Sequence, residues 1–351
     1  MVKTVGVCGY VSTGSSAFVD LLHEFEETQV LDSEFRVTRV PDGLEDLANN
    51  IRNYYSSPVA IERFRKIMRE PFVRNPLTEK EMDKIVGDFL NKIIQFSYNN
   101  KHDALDMYMH SSNIKYIKYL FIKVLNKFRI KSLKEKIIKQ FYFYKIDYCI
   151  IPENFDEAAK LFVFDILSAL GLDYNQKEKK IVVINQAFFS CDPVRSFKFF
   201  KNPISIIVDR DPRDHYLFCK YYLSPKGFRG FPYNNIDDYI KYFRLMRRSS
   251  QDLRKREDIM FFNFEELVYD YENTVKKVAD FVGVTKRIHK GEFFKPTHSR
   301  NNTQLFKKYT ECKSDIKKIE QELPEYIFPF ENYPDIEPEG GMFAGSQIKK
   351  W

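Results

Sequence analysis

The chain has 351 residues, 30% of them charged, a net charge of +7 and a mean hydropathy of −0.44. This is the composition of a globular protein with one large or two modest domains. It excludes a disordered or collagen-like chain, no apolar run approaches the length that spans a bilayer, and the modest positive balance does not by itself argue for nucleic acid. Cys8, Cys149, Cys191, Cys219 and Cys312 are scattered, odd in number and without metal-ligand spacing. They read as reduced thiols in a reducing compartment. The chain enters a strand almost at its start, which leaves no room for a signal peptide, so a cytoplasmic protein is expected.

Val5 to Cys8 is a short apolar run bounded by glycine, a buried-strand signal. A loop with Gly9 and Gly14 follows, and then Phe18, Leu21, Leu22 and Phe25 recur at helical spacing. Strand, glycine loop and helix form a phosphate cradle: glycine lets the backbone approach an anion, and the first helical amides point at it. Ser12, Thr13, Ser15 and Ser16 add hydroxyls. The spacing Gly-x-x-x-x-Gly-Ser-Ser is nearly that of a nucleotide-triphosphate loop, with Ser15 where the lysine would stand. A plain strand-to-helix turn with a serine-capped helix is the alternative.

Gln29 to Leu31 begins a second strand that runs toward Val37, and Pro41-Asp42-Gly43 marks a turn before a helix from Leu44. Residues 51–154 read as helical and basic. Phe64, Ile67 and Met68 share one face; Ile85, Phe89, Ile93 and Ile94 a second; Ile114, Ile117, Leu120, Phe121 and Val124 a third. Arg63, Arg65, Lys66, Lys115, Lys118, Lys123, Lys127, Lys131 and Lys134 lie between them. These are solvated faces or a platform for an anionic or sugar-rich acceptor. Asn154 with Glu157 reads as a helix cap, and that helix continues to Gly171.

Lys180 to Asn185 is a third strand, Val194 to Phe200 a short helix, and Pro203 to Arg210 the fourth and most apolar strand. Asp211 is placed to cap the next helix, Pro212 to occupy its first position, and Asp214 to favour its positive end. Arg210 therefore stands at a strand end just before a helix N-terminus, a second anion-friendly place. Asp258 to Phe264 is a fifth strand, followed by a helix from about Glu272 to Phe281 that ends near Gly283. Lys295 to Asn302 is a polar, irregular stretch read as a loop over the site, and Gly340 to Trp351 reads as a mobile tail.

Three of these segments together resemble the sulfotransferases that use 3′-phosphoadenosine 5′-phosphosulfate (PAPS), with a likeness to the bacterial carbohydrate type. They are Tyr10 to Ser16, Val208 to Asp214, and Met260 to Leu267 through Val282-Gly283. The resemblance covers both ends of the chain but not residues 51–154. It implies an α/β fold with a parallel, P-loop-like sheet and a large basic helical insertion. The implied division is a nucleotide-binding core at 1–50 and 155–325, a helical insertion at 51–154 as acceptor platform, and an irregular tail at 326–351. In the family the first segment holds the 5′-phosphosulfate and the second the 3′-phosphate, which implies cofactor roles for Tyr10, Ser12, Thr13, Gly14, Ser15, Ser16 and Arg210. A basic loop near the C-terminus closes over the nucleotide, and Arg300 is the candidate there. Two departures stand out: Ser12 replaces a lysine or arginine, and Phe218 replaces the serine eight residues after Arg210.

Sulfuryl transfer needs a base for the acceptor hydroxyl and stabilisation of the leaving phosphate, and in principle no metal. Glu34 is the first candidate base and Asp32 the second; for both, an ion pair with Arg36 or Arg39 is the alternative. His298 in the covering loop is the third. Of the other histidines, His23 reads as structural, His215 follows the Asp211 turn, His289 precedes the covering loop, and His102 and His110 lie in the insert. The expected acceptor is a glycan hydroxyl. Two other readings stay open: a nucleotide kinase with Asp209 near Mg²⁺, and a binding module that kept the fold without the chemistry.

Overall fold

A computed structural model describes residues 2–53, 57–109, 112–127, 143–150, 154–174, 176, 179–227 and 230–341. Lys131, Lys134, His110 and the tail beyond residue 341 lie outside the described residues. The chain divides into two compact units, Met1–Phe35 with Leu172–Trp351, and Arg36–Gly171.

The first unit is an α/β sandwich around one parallel sheet. Its strands are β1 (Lys3–Gly9), β2 (Thr28–Leu31), β3 (Ile181–Asn185), β4 (Pro203–Asp209) and β5 (Ile259–Asn263). Their order is β2-β3-β1-β4-β5, and every pairing is parallel. Strands covered on both faces read as continuous apolar runs, which is why Val182 to Ile184 and Ile206 to Val208 carry no alternation. The chain leaves β1 toward β2, returns to β3 and crosses to β4 on the other side. Such a reversal opens a crevice at the carboxyl ends of the strands. Register aligns those ends: Gly9 lies opposite Val208, and Asp209 opposite Asn263.

Helix α1 (Ser15–His23) packs Phe18, Leu21 and Leu22 against Val5, Val7 and Val208 of the sheet. After β4 comes α2 (Pro212–Phe218), which runs into a π turn at Cys219–Leu223 and a 3-10 turn at Ser224–Lys226. Helix α3 (Ile236–Met246) buries Tyr239, Ile240 and Phe243 in one cluster with Tyr216 and Leu217 of α2. Helix α4 (Phe264–Tyr269) follows β5 directly, with Glu266 closing a capping box on Asn263. Helix α5 (Tyr271–Val282) ends at Gly283, which takes the left-handed conformation. The expected strands are all present. The stretch read as an irregular loop is instead a short helix, Pro296–Ser299, and a 3-10 turn, Arg300–Asn302.

The second unit is helical around an aromatic core. Phe64, on helix Ser57–Arg69, packs edge-on against Phe89 of helix Glu79–Ile93 and Phe162 of helix Phe155–Ala169, with ring centroids 5.8 and 5.6 Å apart. The unit is not wholly helical: Phe96–Lys101 and Phe143–Tyr148 pair as an antiparallel hairpin. That hairpin was hidden by its polar sequence, Ser97 to Lys101, all of it exposed. The apolar set of Glu79–Ile93 is also rotated, with Met82, Val86 and Leu90 buried beside Phe89 and Ile93, and Ile85 only half-buried. Ile114, Ile117, Leu120, Phe121 and Val124 are exposed rather than buried. Asn154 precedes its helix without a side-chain capping bond. No helix among the described residues is long and apolar enough to cross a membrane.

Candidate active site

The loop after β1 is held in a conformation that L-residues rarely adopt. Val11, Ser12 and Gly14 all have positive φ, at 64°, 57° and 91°. A β-branched residue there is strained by about 1–3 kcal/mol, and such strain persists only where surrounding structure enforces it. The enforcement is visible on four sides. Tyr10 N donates to Thr13 Oγ1 at 3.1 Å, and Thr13 Oγ1 donates to Val208 O at 2.6 Å. Val11 O accepts from His215 Nε2 at 3.1 Å. Ser12 O accepts from Arg210 Nη1 at 3.3 Å.

The result presents the start of α1 to a pocket. The first amides of a helix have no partner within it, and Gly14 makes room for the turn: a Cβ there would lie 2.5 Å from the Phe264 ring. Ser12, Gly14 and Ser16 line a cavity of about 420 Å³ together with Arg210, Lys295 and His298. His215 is fully buried, and burial with Arg247 and Arg210 nearby pushes its pKa down to about 3. It is neutral; because a carbonyl only accepts, Nε2 carries the proton that reaches Val11 O, and Nδ1 faces the Tyr239 hydroxyl at 2.9 Å.

Arginine pairing separates Arg210 from its neighbours. Arg247 clamps Asp209 through two bonds of 2.8 and 2.5 Å. Arg213 holds Asp211 and reaches Glu320. Arg287 meets Glu24 at 2.5 Å. Arg210 is 4% exposed and, among the described residues, has no carboxylate partner. Its Nη groups donate to the carbonyls of Ser12 and Asn302, and its Nε has no partner. Phe218, standing where the family has serine, lies 4.8 Å from the Arg210 guanidinium carbon, and Phe264 lies 5.5 Å away. These rings brace the planar cation without neutralising it.

Carboxylates beneath Arg210 shape the pocket indirectly. Asp211 caps α2 by accepting from Arg213 N at 2.9 Å, as the sequence predicts. Asp214 lies in the first turn of α2, as expected, and has a second role. It is fully buried and accepts from Gln304 N and Leu305 N, both at 2.7 Å, which fixes the segment that follows Asn302. Burial and Asp211 push its pKa up to about 7. Glu265 accepts from Asp211 N, and burial drives its pKa well above the usual carboxylate range.

Of the residues singled out by sequence, Ser12, Gly14, Ser16, Arg210 and His298 meet at this pocket. Thr13 turns inward as the loop's tie, and Ser15 Oγ accepts from Gln186 Nε2 at 2.9 Å. Tyr10 is buried under Arg247, 4.3 Å from its ring. Asp32 pairs with His23 at 2.5 Å, and Glu34 is exposed beyond the edge strand β2; neither lines the pocket. Arg300 pairs with Asp335 at 2.9 Å outside the pocket lining. The sequence reading passed over Asp20, Glu292, Phe293 and Phe294 as lining residues. Asp20 lies on the same helical face as Ser16, a signal that was available; the Glu292–Phe294 wall comes from a connection without a motif.

No protein-family model matches this sequence, and no curated protein matches it. Among solved structures, the chain is similar to the sulfotransferase domain of the Synechococcus PCC 7002 olefin synthase, at 11% identity and a TM-score of 0.37 over 84% of this chain and 81% of that one. It is also similar to retinol dehydratase in complex with androsterone and the inactive cofactor PAP (12%, 0.38, 94% and 83%). A third is the sulfotransferase domain from the curacin biosynthetic pathway (12%, 0.37, 93% and 98%). Likeness at this level is remote.

Proposed function

We propose that this protein transfers a sulfuryl group from PAPS to a hydroxyl acceptor. The observation that carries the reading is Arg210: a buried cation in the pocket, unpaired with any described carboxylate, with a free Nε, beside a loop strained into an anion-accepting shape. In this reading Arg210 holds the 3′-phosphate, and the amides of Gly14 to Ser16 with the Ser12 and Ser16 hydroxyls hold the 5′-phosphosulfate. PAPS supplies an activated sulfuryl group. Lys295 lines the same pocket and brings the ammonium that position 12 lacks. Its charge would stabilise the leaving phosphate.

His298 is the base we propose among the three sequence candidates. It lines the pocket, and its Nε2 lies 3.3 Å from Glu339 Oε2. A carboxylate there fixes the orientation of the ring. A glycan is the acceptor class we propose, because the second unit carries exposed Tyr116, Tyr119 and Phe121 in a lysine-rich helix. The kinase reading is weakened at its key residue, since both oxygens of Asp209 are engaged by Arg247.

Titration calorimetry with adenosine 3′,5′-bisphosphate in EDTA, against ATP with Mg²⁺, tests the reading. Metal-free binding of the bisphosphate is expected. Preference for Mg·ATP would restore the kinase, and binding of neither would refute a nucleotide site.

A further inference from the structure

Helix Ser112–Lys127 of the second unit turns an apolar stripe outward. Ile117, Leu120, Phe121 and Val124 recur at i, i+3, i+4 and i+7, so they share one face. Each is between 40% and 64% exposed. Leu125 is buried and Ile122 half-buried, so a different side of the helix faces the protein. A contiguous apolar face left open in this way marks a surface that something else covers.

Charge says what covers it. Residues 112–145 hold ten Lys or Arg and one Glu, a net +9, against +7 for the whole chain, so everything outside this segment is net −2. The helix itself has no Asp or Glu. Tyr116, Lys123 and Lys127, spaced i, i+7 and i+11, run along one edge of the stripe, and all three are exposed. An apolar face bordered by lysines and a tyrosine is the make of a helix that lies in a lipid interface. Aliphatic side chains enter the acyl boundary, ammonium groups stay with anionic headgroups, and the amphipathic ring sits at that level. Sixteen residues are too few to cross a bilayer. A nucleic acid would answer the charge but gives the aliphatic stripe no partner. A second copy would bring two such helices together in a two-fold contact, against the repulsion of their like charges.

We infer that helix Ser112–Lys127 seats the second unit on an anionic lipid bilayer, with Ile117, Leu120, Phe121 and Val124 at the acyl boundary and Lys123 and Lys127 at the headgroup phosphates. The inference stands apart from the nucleotide reading, and it is compatible with a glycan acceptor borne on lipid headgroups.

The test is flotation of the full chain with vesicles of phosphatidylcholine alone, and of phosphatidylcholine and phosphatidylserine in equal parts. The protein should float with the anionic vesicles and bind the neutral ones about tenfold or more weakly, and raising salt from about 0.1 M to 0.5 M should release most of it. Ile117→Ser with Leu120→Ser keeps the charge and should lower binding to anionic vesicles by about tenfold or more. Lys123→Gln with Lys127→Gln keeps the stripe and should lower it by a similar factor. All four side chains are exposed, so circular dichroism should stay native. As a readout that removes nothing, Phe121→Trp should add an emission that shifts to the blue on anionic vesicles, beyond any change from Trp351, the one native tryptophan. Binding that the serine pair leaves unchanged is electrostatic alone and overturns the inference, as does failure of the unsubstituted protein to float with either vesicle. A dimer in light scattering that the serine pair dissolves would also overturn it, giving the stripe to a second copy. None of these outcomes bears on the bisphosphate titration, which tests the nucleotide reading by itself.

Discussion

Arg210→Ala separates a phosphate contact from a loop anchor, because Arg210 serves as both. The side chain donates to Ser12 O at 3.3 Å, a long bond from a cation to a neutral carbonyl. Losing it loosens the loop after β1 and weakens every nucleotide by about 0.5–1.5 kcal/mol. A 3′-phosphate would take a charge-assisted bond worth about 1.5–3 kcal/mol more, because among the described residues no carboxylate forms an ion pair with Arg210 and its Nε has no hydrogen-bond partner. Adenosine 3′,5′-bisphosphate should therefore lose about 30-fold to 2,000-fold in affinity, while AMP, which lacks the 3′-phosphate, loses only about twofold to 12-fold. The difference between the two ligands is the measured quantity, about 12-fold to 150-fold. Calorimetry in EDTA measures both, and Arg210→Lys should fall between, retaining charge without the planar fork. Equal losses for the two nucleotides would refute the assignment of Arg210 to the 3′-phosphate.

Gly14→Val places a β-branched residue at φ 91° with its Cβ 2.5 Å from Phe264, so nucleotide binding should vanish and the melting temperature drop, while the far-ultraviolet circular dichroism stays native. Asp214→Ala releases the amides of Gln304 and Leu305; hydrogen exchange at those two positions should quicken markedly, and bisphosphate affinity should fall although Asp214 lines no part of the pocket. His215→Gln probes pH. The folded-state pKa of about 3 lies below the usual 6.5, so the unfolded chain binds a proton that the folded chain refuses, and stability drains away as pH falls from about 6.5 toward 3. Urea titrations should show the unsubstituted protein losing stability faster than His215→Gln through that window, by up to about 1.4 kcal/mol per pH unit; parallel slopes would show that His215 is not the group responsible.

The parallel sheet was legible because its strands are apolar without interruption and its first turn carries two glycines. Val5 to Cys8 and Ile204 to Val208 admit few other readings. The hairpin Phe96–Lys101 with Phe143–Tyr148 was not, since pairing partners more than forty residues apart leave no local signal and Asn99, Asn100 and Lys101 are poor strand formers. At the site, residues bound to the backbone pattern were readable: Gly14 by its turn, Asp211 by its cap and Arg210 by its strand end. Roles set by tertiary partners were not. Asp214 reads as a helix-dipole residue until Gln304 and Leu305 approach it, and Phe218 reads as a lost serine until it lies over Arg210.

The charge balance beneath the pocket explains how Arg210 stays available. Three buried carboxyls, Asp211, Asp214 and Glu265, lie near enough to influence one another, and any of them could in principle neutralise a buried arginine. Each is withheld differently. Asp211 is bound bidentately by Arg213 and also receives Phe328 N. Asp214 has both oxygens committed to backbone amides. Glu265 has no cationic hydrogen-bond partner among the described residues, and burial with Asp211 and Asp214 nearby pushes it toward the neutral form against the opposing pull of Arg210. A neutral Glu265 leaves the Arg210 cation to act on the pocket. Glu265→Gln should then preserve bisphosphate affinity within about threefold, because the amide reproduces the neutral acid. Glu265→Ala should lower stability by about 2–4 kcal/mol through the cavity it opens and the Asp211 N–H it strands. If Glu265→Gln instead tightened bisphosphate binding tenfold or more, Glu265 would be ionised in the native protein and Arg210 would be a neutralised cation rather than a free one.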